Sequence, residues 1–265
     1  FIFFSRFTRN HHQMSLIPLP ESLVPFLEPY LPTPKIQHQK RPFVTLTYAQ
    51  SLDSRIAAKK GTQTKISHLE TKTMTHYLRS KHDAIMVAIG TVQADDPKLN
   101  CRYREDGNDH SPRPVILDPH GKWNYSESQL RAICDNKQGK APYIIIEENV
   151  KPKQEDIEIL QEQNGLFIYL PLSTDHSANW DLILQKLHDL GVESIMIEGG
   201  AMVINELLDF HRTQHDLIDS LIITVGPIFL GSQGVEVSPR KQVNLEDVKW
   251  WTGVSDSIIC AKVTK

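Results

Sequence analysis

The chain has 265 residues, of which 40% are hydrophobic and 23% charged, a composition typical of globular rather than disordered proteins. Lys and Arg total 29 against 32 Asp and Glu, and this near balance argues against a nucleic-acid or membrane-surface protein. A transmembrane helix is not expected either, since no apolar run reaches about 18 residues. Three cysteines lie far apart without a Cys-x-x-Cys pair, which fits a reducing compartment and predicts no disulfide framework. We therefore expect a cytoplasmic protein without a membrane or nucleic-acid partner.

The first forty residues are expected to precede the main domain. Residues 1–13 lie before Met14 and contain too short an apolar run for a signal peptide. We interpret them as non-native or as upstream of the natural start, with a transit peptide as the alternative. Seven prolines from Pro18 to Pro42 predict an extended, Pro-rich arm over 1–40 with at most a short helix. Residues 41–265 are expected to form one domain.

Strand-like and helix-like segments alternate from Phe43 onward. A capping box from Ser67 to Glu70 predicts a helix over 69–79, and Asn179 is expected to cap a helix that Gly191 ends. The other predicted helices span 154–163 and 201–210, and strands are predicted over 43–48, 84–89, 114–117, 143–146, 166–170, 194–197, 217–225 and 256–263. This order predicts an α/β fold with a mostly parallel central sheet, helices on both faces and an antiparallel C-terminal edge.

Two glycines between a predicted strand and a predicted helix are the first candidate site. Gly199 and Gly200 follow Glu198, and a helix start of this kind can bring backbone N–H groups close to a diphosphate. The pattern is not Gly-x-Gly-x-x-Gly, so the Rossmann fingerprint is absent, and the pair can equally be a tight turn. Glu198 could hydrogen-bond a polyol or an amine, or be a solvated carboxylate at a strand end.

The segment from Gly90 to Pro97 follows another buried strand. Gly90 is expected to permit a sharp exit from the strand, Thr91 offers a hydroxyl, and Pro97 is expected to hold Asp96 extended. Asp95 and Asp96 lack the partner spacing of a calcium loop, so hydrogen bonding is favoured over a metal and no metal site is predicted.

Charged residues after other strands complete the candidate site. Asp53 follows the first strand and could bind ligand hydroxyls or form an Asx turn. Arg102 could hold a phosphate, and Lys65 and Arg79 could meet an anionic substrate. For each of these cations a solvated surface position is the simpler interpretation.

Taken together and in order, these segments resemble the reductase family of riboflavin biosynthesis. The likeness covers about 41–261, and stretches 45–53, 71–79 and 220–224 are closer to fungal-type members. The segments that carry the family likeness are Ser51-Leu-Asp-Ser-Arg-Ile-Ala57, Asp83-Ala-Ile-Met-Val87, Gly90-Thr-Val-Gln-Ala-Asp-Asp-Pro97, Arg113-Pro-Val-Ile-Leu-Asp118, Glu198-Gly-Gly200 and Ile228-Phe-Leu-Gly231.

The resemblance implies a dihydrofolate-reductase-like fold, NADPH as hydride donor and a homodimer. The implied substrate is a ribosylaminopyrimidine phosphate, whose ribosylamino group would be reduced to ribitylamino. The resemblance places NADPH against Thr91, Asp95, Glu198, Gly199, Gly200, Ala201, Met202 and Val203. It places the substrate against Lys65, Arg79, Leu99, Asn100 and Arg102, and we expect Glu198 and Asp53 to be the catalytic candidates.

Two departures from the family pattern are visible. Related bacterial reductases have Trp where this chain has Lys65, so a cation replaces a stacking contact there, and Ser54 stands where Gly is usual. Two other functions stay open: an enzyme of the dihydrofolate reductase type and a non-catalytic NADPH-binding protein.

Overall fold

The computed structural model describes residues 16–33, 40–211 and 217–264. Residues 1–13 and Met14, on which the interpretation of the natural start depends, lie outside this part of the chain, as do residues 34–39 of the proline-rich segment. The helices are α1 Leu23–Leu27, α2 Leu69–Ser80, α3 Ile89–Asp95, α4 Gln129–Asp135, α5 Gln154–Glu162, α6 His176–Asp189 and α7 Ala201–His211. Short 3₁₀ turns occupy Glu28–Tyr30 and Tyr125–Glu127.

The strands are β1 Phe43–Gln50, β2 Arg55–Ala57, β3 Ala84–Ala88, β4 Arg113–Leu117, β5 Tyr143–Glu147, β6 Leu166–Leu170, β7 Ser194–Ile197, β8 Ser220–Val225, β9 Val235–Glu236, β10 Leu245–Thr252 and β11 Ser257–Val263. Nine of them form one sheet in the order β10-β11-β8-β1-β7-β3-β4-β5-β6, and β2 pairs with β9 in a small second sheet. The strands from β8 to β6 in that order run parallel, whereas β11 pairs antiparallel with both β8 and β10. The predicted α/β class, the mostly parallel sheet and its antiparallel C-terminal edge are confirmed.

Helices cover both faces of the sheet because alternate strand residues point to opposite sides. On one face Leu46 and Ile197, which are register partners, belong to an apolar cluster with α6 and α7. On the other face Met196 packs with residues of α1 and α2, and Ile85 belongs to a cluster that includes residues of α4 and α5. The sheet is therefore the central layer between two helical layers.

The N-terminal segment forms a helix and a 3₁₀ turn that pack on the sheet. Leu23, Leu27 and Tyr30 are buried in one cluster with Met74 of α2 and Ile258 of β11. Two of the prolines lie within these short helical turns and so do not interrupt a longer helix. The apolar residues between the prolines are therefore able to pack together on the sheet.

Helix α2 begins at the predicted residue, but the capping box predicted for it is wrong because a tertiary contact replaces it. The N-cap of α2 is His68, not Ser67, and Asp256 accepts hydrogen bonds from the His68 backbone N–H and the Thr71 hydroxyl, both at 2.6 Å. The carboxylate of Glu70 accepts from the Val254 backbone N–H instead of closing a capping box. The His68 ring accepts from the Glu70 backbone N–H, and the loop between β10 and β11 holds the start of the helix through contacts that no local sequence signal identifies.

The N-terminus of α6 was also misplaced. Asp175 is its N-cap and accepts hydrogen bonds from the backbone N–H groups of Ser177 and Ala178, whereas Asn179 lies inside the helix and bonds back to Ser173. The first turn of α6 carries few apolar residues, so the helical spacing becomes visible in the sequence only at Trp180.

The segment after β3 is helical rather than a sharp exit. Gly90 lies within α3, has no heavy atom near the position of an added Cβ, and needs no unusual backbone angle. Asp96 is left-handed, with φ 39° and ψ 62°, instead of extended. Its carboxylate accepts from the Gln129 backbone N–H at 3.1 and 3.2 Å, so a contact with α4 stabilises this conformation.

Four other elements were not predicted. Helix α4 has only seven residues, too few to show an apolar period, and β2 and β9 have three and two residues. Strand β10 is mostly exposed on both faces, and Glu246, Asp247 and Lys249 hide any alternation of apolar and polar residues.

Candidate functional site

The candidate site lies where three neighbouring parallel strands end. Strand β7 lies between β1 and β3 in the sheet. Asp53 lies in the turn after β1, Glu198 lies in the turn after β7, and Thr91 lies at the start of α3, which follows β3. Carboxyl ends of parallel strands share one edge of a sheet, which is where ligands bind in α/β proteins. The three motifs, far apart in sequence, are thereby brought together.

Gly199 and Gly200 form a concave turn between β7 and α7. The Glu198 backbone N–H still donates to the Met86 carbonyl at 2.9 Å, so the turn begins directly from the sheet. A Cβ built on Gly200 would lie 3.6 Å from the Thr91 hydroxyl oxygen. The turn therefore faces the start of α3, and outside its own chain neighbours no other described heavy atom lies within 4 Å of that Cβ position.

The residues that open α7 divide into two kinds. Ala201 is half-buried and Met202 is 64% exposed, so both are accessible at the start of the helix. Val203 is buried in the core, and a Cβ on Gly199 would meet its side chain at 2.9 Å. Val203 thus holds the helix against the sheet, which fixes the position of the glycine turn.

Asp95 ends α3 with one carboxylate oxygen unsatisfied. Its Oδ1 is buried and has no hydrogen-bond partner in the described part of the chain. Burial raises the pKa of this carboxyl group above its usual value. A ligand hydroxyl or N–H group would satisfy the oxygen, which makes Asp95 a fitting partner for a ribose.

Glu198 and Arg79 form an ion pair across the cleft. The Arg79 Nη2 atom lies 3.0 Å from Glu198 Oε2, and the two side chains are 13% and 24% exposed. The Arg79 guanidinium also donates to the Asn100 carbonyl at 3.1 Å. The Asn100 side chain in turn donates to the Gln138 carbonyl at 2.9 Å. Arg79, Asn100 and Glu198 are thus held together by direct contacts.

Arg102 is held beside Arg79 by a buried histidine. The Arg102 Nη2 atom lies 2.9 Å from His76 Nε2, and the Arg102 backbone N–H lies 3.2 Å from His76 Nδ1. Burial, and then the charges of Arg79, Arg102 and Lys72, lower the pKa of His76 to about 2. A neutral imidazole has a lone pair that can accept from the guanidinium, so His76 orients Arg102 without adding charge. Leu99, also predicted as a substrate residue, has a buried side chain and a left-handed backbone conformation with φ 53°.

Lys72 belongs to the same group of cations, although the sequence analysis did not select it. Burial, followed by the charges of Arg102 and Lys65, lowers its pKa. A cavity of about 340 Å³ is lined by both lysines together with His68 and residues 63, 64, 67 and 69. Lys72, His76 and Arg79 recur at helical spacing on α2, and this period is the signal that could have identified Lys72.

Asp53 follows β1, the strand next to β7, and binds the loop that follows β8. Its carboxylate accepts hydrogen bonds from the Ser51 hydroxyl at 2.5 Å and the backbone N–H groups of Leu230 and Gly231 at 3.0 and 2.7 Å. The hydrogen bond from Ser51, followed by that from Leu230, lowers the pKa of Asp53 to about 2. The carboxylate is therefore ionised and engaged within the protein.

The described residues contain neither a metal-binding group nor a membrane-crossing helix. Among them, no three His, Cys, Asp or Glu side chains are clustered so that they could hold a metal ion. Within the same ranges, the longest helices are too short or too polar to span a bilayer.

A glycine turn at a helix start, next to a group of cations at the carboxyl edge of a parallel sheet, defines an α/β protein suited to phosphorylated ligands. Residues 42–259 match the family model described as the RibD C-terminal domain, and the chain belongs to this family. The family resemblance seen in the sequence is confirmed.

Curated relatives extend this result over nearly the whole chain. The 2,5-diamino-6-ribosylamino-4(3H)-pyrimidinone 5′-phosphate reductase of Debaryomyces hansenii is 63% identical over 254 residues, covering 95% of this chain and all of the relative. The reductase of the same name from Saccharomyces cerevisiae is 44% identical and covers 94% of this chain and 99% of its own.

Solved structures agree with the fold. The riboflavin biosynthesis reductase Rib7 of Saccharomyces cerevisiae superposes with a TM-score of 0.77 at 41% identity, over 92% of this chain and all of Rib7. RibD of Acinetobacter baumannii has a TM-score of 0.68 at 22% identity and covers 87% of this chain and 60% of RibD. At that identity the second likeness concerns the fold alone.

Proposed function

We propose that the protein is a 2,5-diamino-6-ribosylamino-4(3H)-pyrimidinone 5′-phosphate reductase of riboflavin biosynthesis, which reduces the ribosylamino side chain to ribitylamino. Relatives that carry this activity in their names align over almost the entire chain. The observation that carries the proposal is the position of Glu198. Its carboxylate holds Arg79 among the cations, while the next two residues form the glycine turn.

The glycine turn and α3 would hold the cofactor. The Gly200 turn would receive the pyrophosphate of NADPH, because the N–H groups at a helix start favour an anion and a side chain at Gly200 would occupy that space. Asp95 would accept a hydrogen bond from a ribose hydroxyl at its unsatisfied Oδ1 atom, and Thr91 would donate or accept beside the turn. Ala201 and Met202 would line the entrance, with Val203 supporting them from the core.

The group of cations would hold the substrate's phosphate. Arg102 and Arg79 supply guanidinium groups suited to a phosphate, and Lys65 and Lys72 line the neighbouring cavity. Asn100 and Leu99 would lie beside the phosphate. The Asn100 carbonyl fixes Arg79, and the Leu99 side chain anchors this segment in the apolar core. Like charges placed together in a partly buried site are relieved by an anion, which explains why these residues lie so close.

Glu198 would hold the sugar between the two halves of the site. NADPH, when bound, supplies the hydride that reduces C1′ of the ring-opened ribosylamine. Glu198 is placed to accept hydrogen bonds from the sugar hydroxyls or to take part in proton movement at the amine, while Arg79 keeps its carboxylate oriented. The protein's contribution is mainly alignment, which can lower a barrier by roughly 7–11 kcal/mol.

Mass spectrometry of the product tests this function. The protein is incubated with NADPH and the ribosylaminopyrimidine phosphate, and we expect the pyrimidine to gain two hydrogens as NADPH absorbance falls. Glu198→Gln should lower turnover strongly, whereas Glu193→Gln, an exposed glutamate preceding the same strand, should not. Turnover with dihydrofolate in place of the pyrimidine would instead identify a dihydrofolate reductase. NADPH binding without turnover on either compound would identify a binding protein.

We also propose a homodimer in the cytosol. The edge strand β10 leaves one side unpaired within the described chain and exposes Val248 and Trp250. A second copy covering this strand would bury both the apolar side chains and the open backbone edge. Cys101, Cys134 and Cys260 are all unpaired, and two of them are buried, which suits a reducing compartment.

A further inference from the structure

The turn after β1 and the loop after β8 are joined by a dense set of hydrogen bonds. Asp53 binds the backbone N–H groups of Leu230 and Gly231, and the Leu52 N–H donates to the Ile228 carbonyl at 2.8 Å. The loop leaves β8 through Gly226, whose N–H donates to the Gln50 carbonyl at 2.9 Å. Asp53 supplies the side-chain part of this link, because both of its carboxylate oxygens accept from the loop.

The linked segments present a group of large apolar side chains to solvent. Leu52 is 54% exposed, Ile228 39% and Phe229 72%. We call these three residues the apolar wall. Single exposed apolar residues are common, but several side by side at the carboxyl edge of a parallel sheet are typical of a ligand-binding cleft.

The apolar wall lies at the same edge of the sheet as Glu198. Strand β1, whose turn carries Leu52 and Asp53, is the direct neighbour of β7, whose turn carries Glu198, and β8 lies on the other side of β1. The cavity lined by Lys65 and Lys72 adjoins the start of the same loop, since a Cβ built on Gly226 would lie 2.5 Å from the Ile66 carbonyl oxygen. The wall is therefore available to the flat, uncharged part of a ligand whose phosphate these cations hold.

We infer that Asp53 is a positioning residue, whose carboxylate fastens the loop 228–231 to the turn after β1 and so presents the apolar wall to a flat heteroaromatic ring. The ring is either the nicotinamide of the cofactor or the pyrimidine of the substrate. The choice of these two rings rests on the proposed function, whereas the link between Asp53 and the loop does not. This role differs from that of the catalytic candidate expected from the sequence, since Asp53 acts through the loop.

The first experiment compares Asp53→Asn with Asp175→Asn. Asp175 is a matched control because it also accepts from a serine hydroxyl and from two backbone N–H groups, but it caps α6 at the far end of the sheet. Limited proteolysis with chymotrypsin, read by mass spectrometry, measures cleavage after Phe229, and steady-state kinetics are recorded from pH 6 to 9.

In Asp53→Asn we expect cleavage after Phe229 to accelerate severalfold and kcat/KM to fall about five- to tenfold, because one acceptor for the loop N–H groups is lost. The shape of the pH profile should not change, since a carboxylate that only accepts hydrogen bonds moves no proton. Asp175→Asn should change neither measurement. Unchanged cleavage together with loss of one limb of the pH profile would overturn the inference in favour of proton transfer by Asp53. Faster cleavage with wild-type kinetics would overturn the link between the loop and the reaction.

The second experiment identifies the ring with Phe229→Ala. A rise in KM for NADPH alone would assign the nicotinamide, and a rise for the pyrimidine alone would assign the substrate, with about three- to tenfold expected for lost apolar contact. If neither KM changes, the apolar wall contacts no ring and the inference is wrong. The proteolysis measurement needs no turnover, so it still tests the link made by Asp53 if the proposed reaction itself is not observed.

Discussion

The chemistry of the site depends on how individual side chains hold one another in charge and direction. Arg79 has Glu198 as its counterion and the Asn100 carbonyl as a second acceptor. Arg102 is oriented by His76, which burial and neighbouring cations keep neutral. The two guanidinium groups are therefore fixed before any ligand arrives, and such preorganisation favours binding of a phosphate.

Removing either arginine should weaken recognition of the phosphate specifically. Arg79→Ala and Arg102→Ala should each raise KM for the phosphorylated substrate by about 1.5–3 kcal/mol, or roughly 12- to 150-fold, through loss of charge-assisted hydrogen bonds. Steady-state kinetics with the phosphorylated and the dephosphorylated compound provide the measurement. The preference for the phosphorylated form should largely disappear in the variants, and an unchanged preference would remove these arginines from the phosphate site.

At the scale of elements, the start of α7 links the sheet to the proposed cofactor site. Strand β7 is buried throughout, and its last hydrogen bond to β3 is made by the Glu198 backbone. The turn then leaves Gly200 without a close neighbour other than Thr91. The fold therefore has room for one added methyl group at Gly200. The same methyl group would collide with a pyrophosphate bound in the proposed position.

Gly200→Ala should consequently weaken NADPH binding without unfolding the protein. The added methyl group lies at an ordinary contact distance of 3.6 Å from the Thr91 hydroxyl, so the free protein should keep its melting temperature within a few degrees. Titration calorimetry should report a loss of at least about tenfold in NADPH affinity. Equal affinity in wild type and variant would place the dinucleotide elsewhere.

The elements also separate what local sequence can predict from what it cannot. Helix α2 begins at Leu69 as predicted and ends one residue beyond the predicted Arg79, although the capping box that predicted it does not form. Its first turn is instead fixed by Asp256 and the Val254 backbone, in a loop almost 190 residues further along the chain. A capping-box pattern is local information, whereas contacts with a distant loop are tertiary.

At the scale of the whole molecule, two buried histidines make stability depend on pH. Burial lowers the pKa of His82 to about 4, although its ring bonds the Leu78 carbonyl and the Thr45 hydroxyl, both at 2.7 Å. The pKa of His76 lies lower still. In the unfolded chain both rings take up a proton near pH 6.5, whereas in the folded protein they remain neutral well below that. Protons thus bind preferentially to the unfolded state, so stability falls as pH drops below 6.5.

The free energy of unfolding should decrease between pH 7.5 and 5.0 by up to about 2 kcal/mol for each of the two histidines. Urea denaturation at several pH values measures this slope. His82→Gln should reduce the slope by about half, whatever its effect on stability at pH 7.5, because the variant has no imidazole to titrate at that position. His120→Gln, at an exposed loop position, serves as the control. A slope that His82→Gln does not alter would contradict the prediction.

Assembly is the second property of the whole molecule. Trp250→Glu on β10 should convert a dimer of about 60 kDa, twice the 30.2 kDa chain mass, into a monomer, because a charge would replace the most exposed tryptophan of the edge strand. Light scattering gives the mass directly. Tyr169→Glu alters an exposed aromatic residue on β6, the opposite edge of the sheet, and should leave the mass unchanged. A wild-type mass of 30 kDa would refute the dimer.

The sequence by itself determined the α/β class, the succession of most strands along the chain and the motifs that follow them. Hydrophobic periodicity and glycine at turns act over short stretches of chain, so they can be recognised locally. Only the tertiary structure decided that Arg79 pairs with Glu198, that Lys72 joins the cations and that Asp53 is bound to the loop 228–231. Each of these depends on which strands become neighbours, and that pairing is set by packing of the whole sheet between its helices rather than by any local preference.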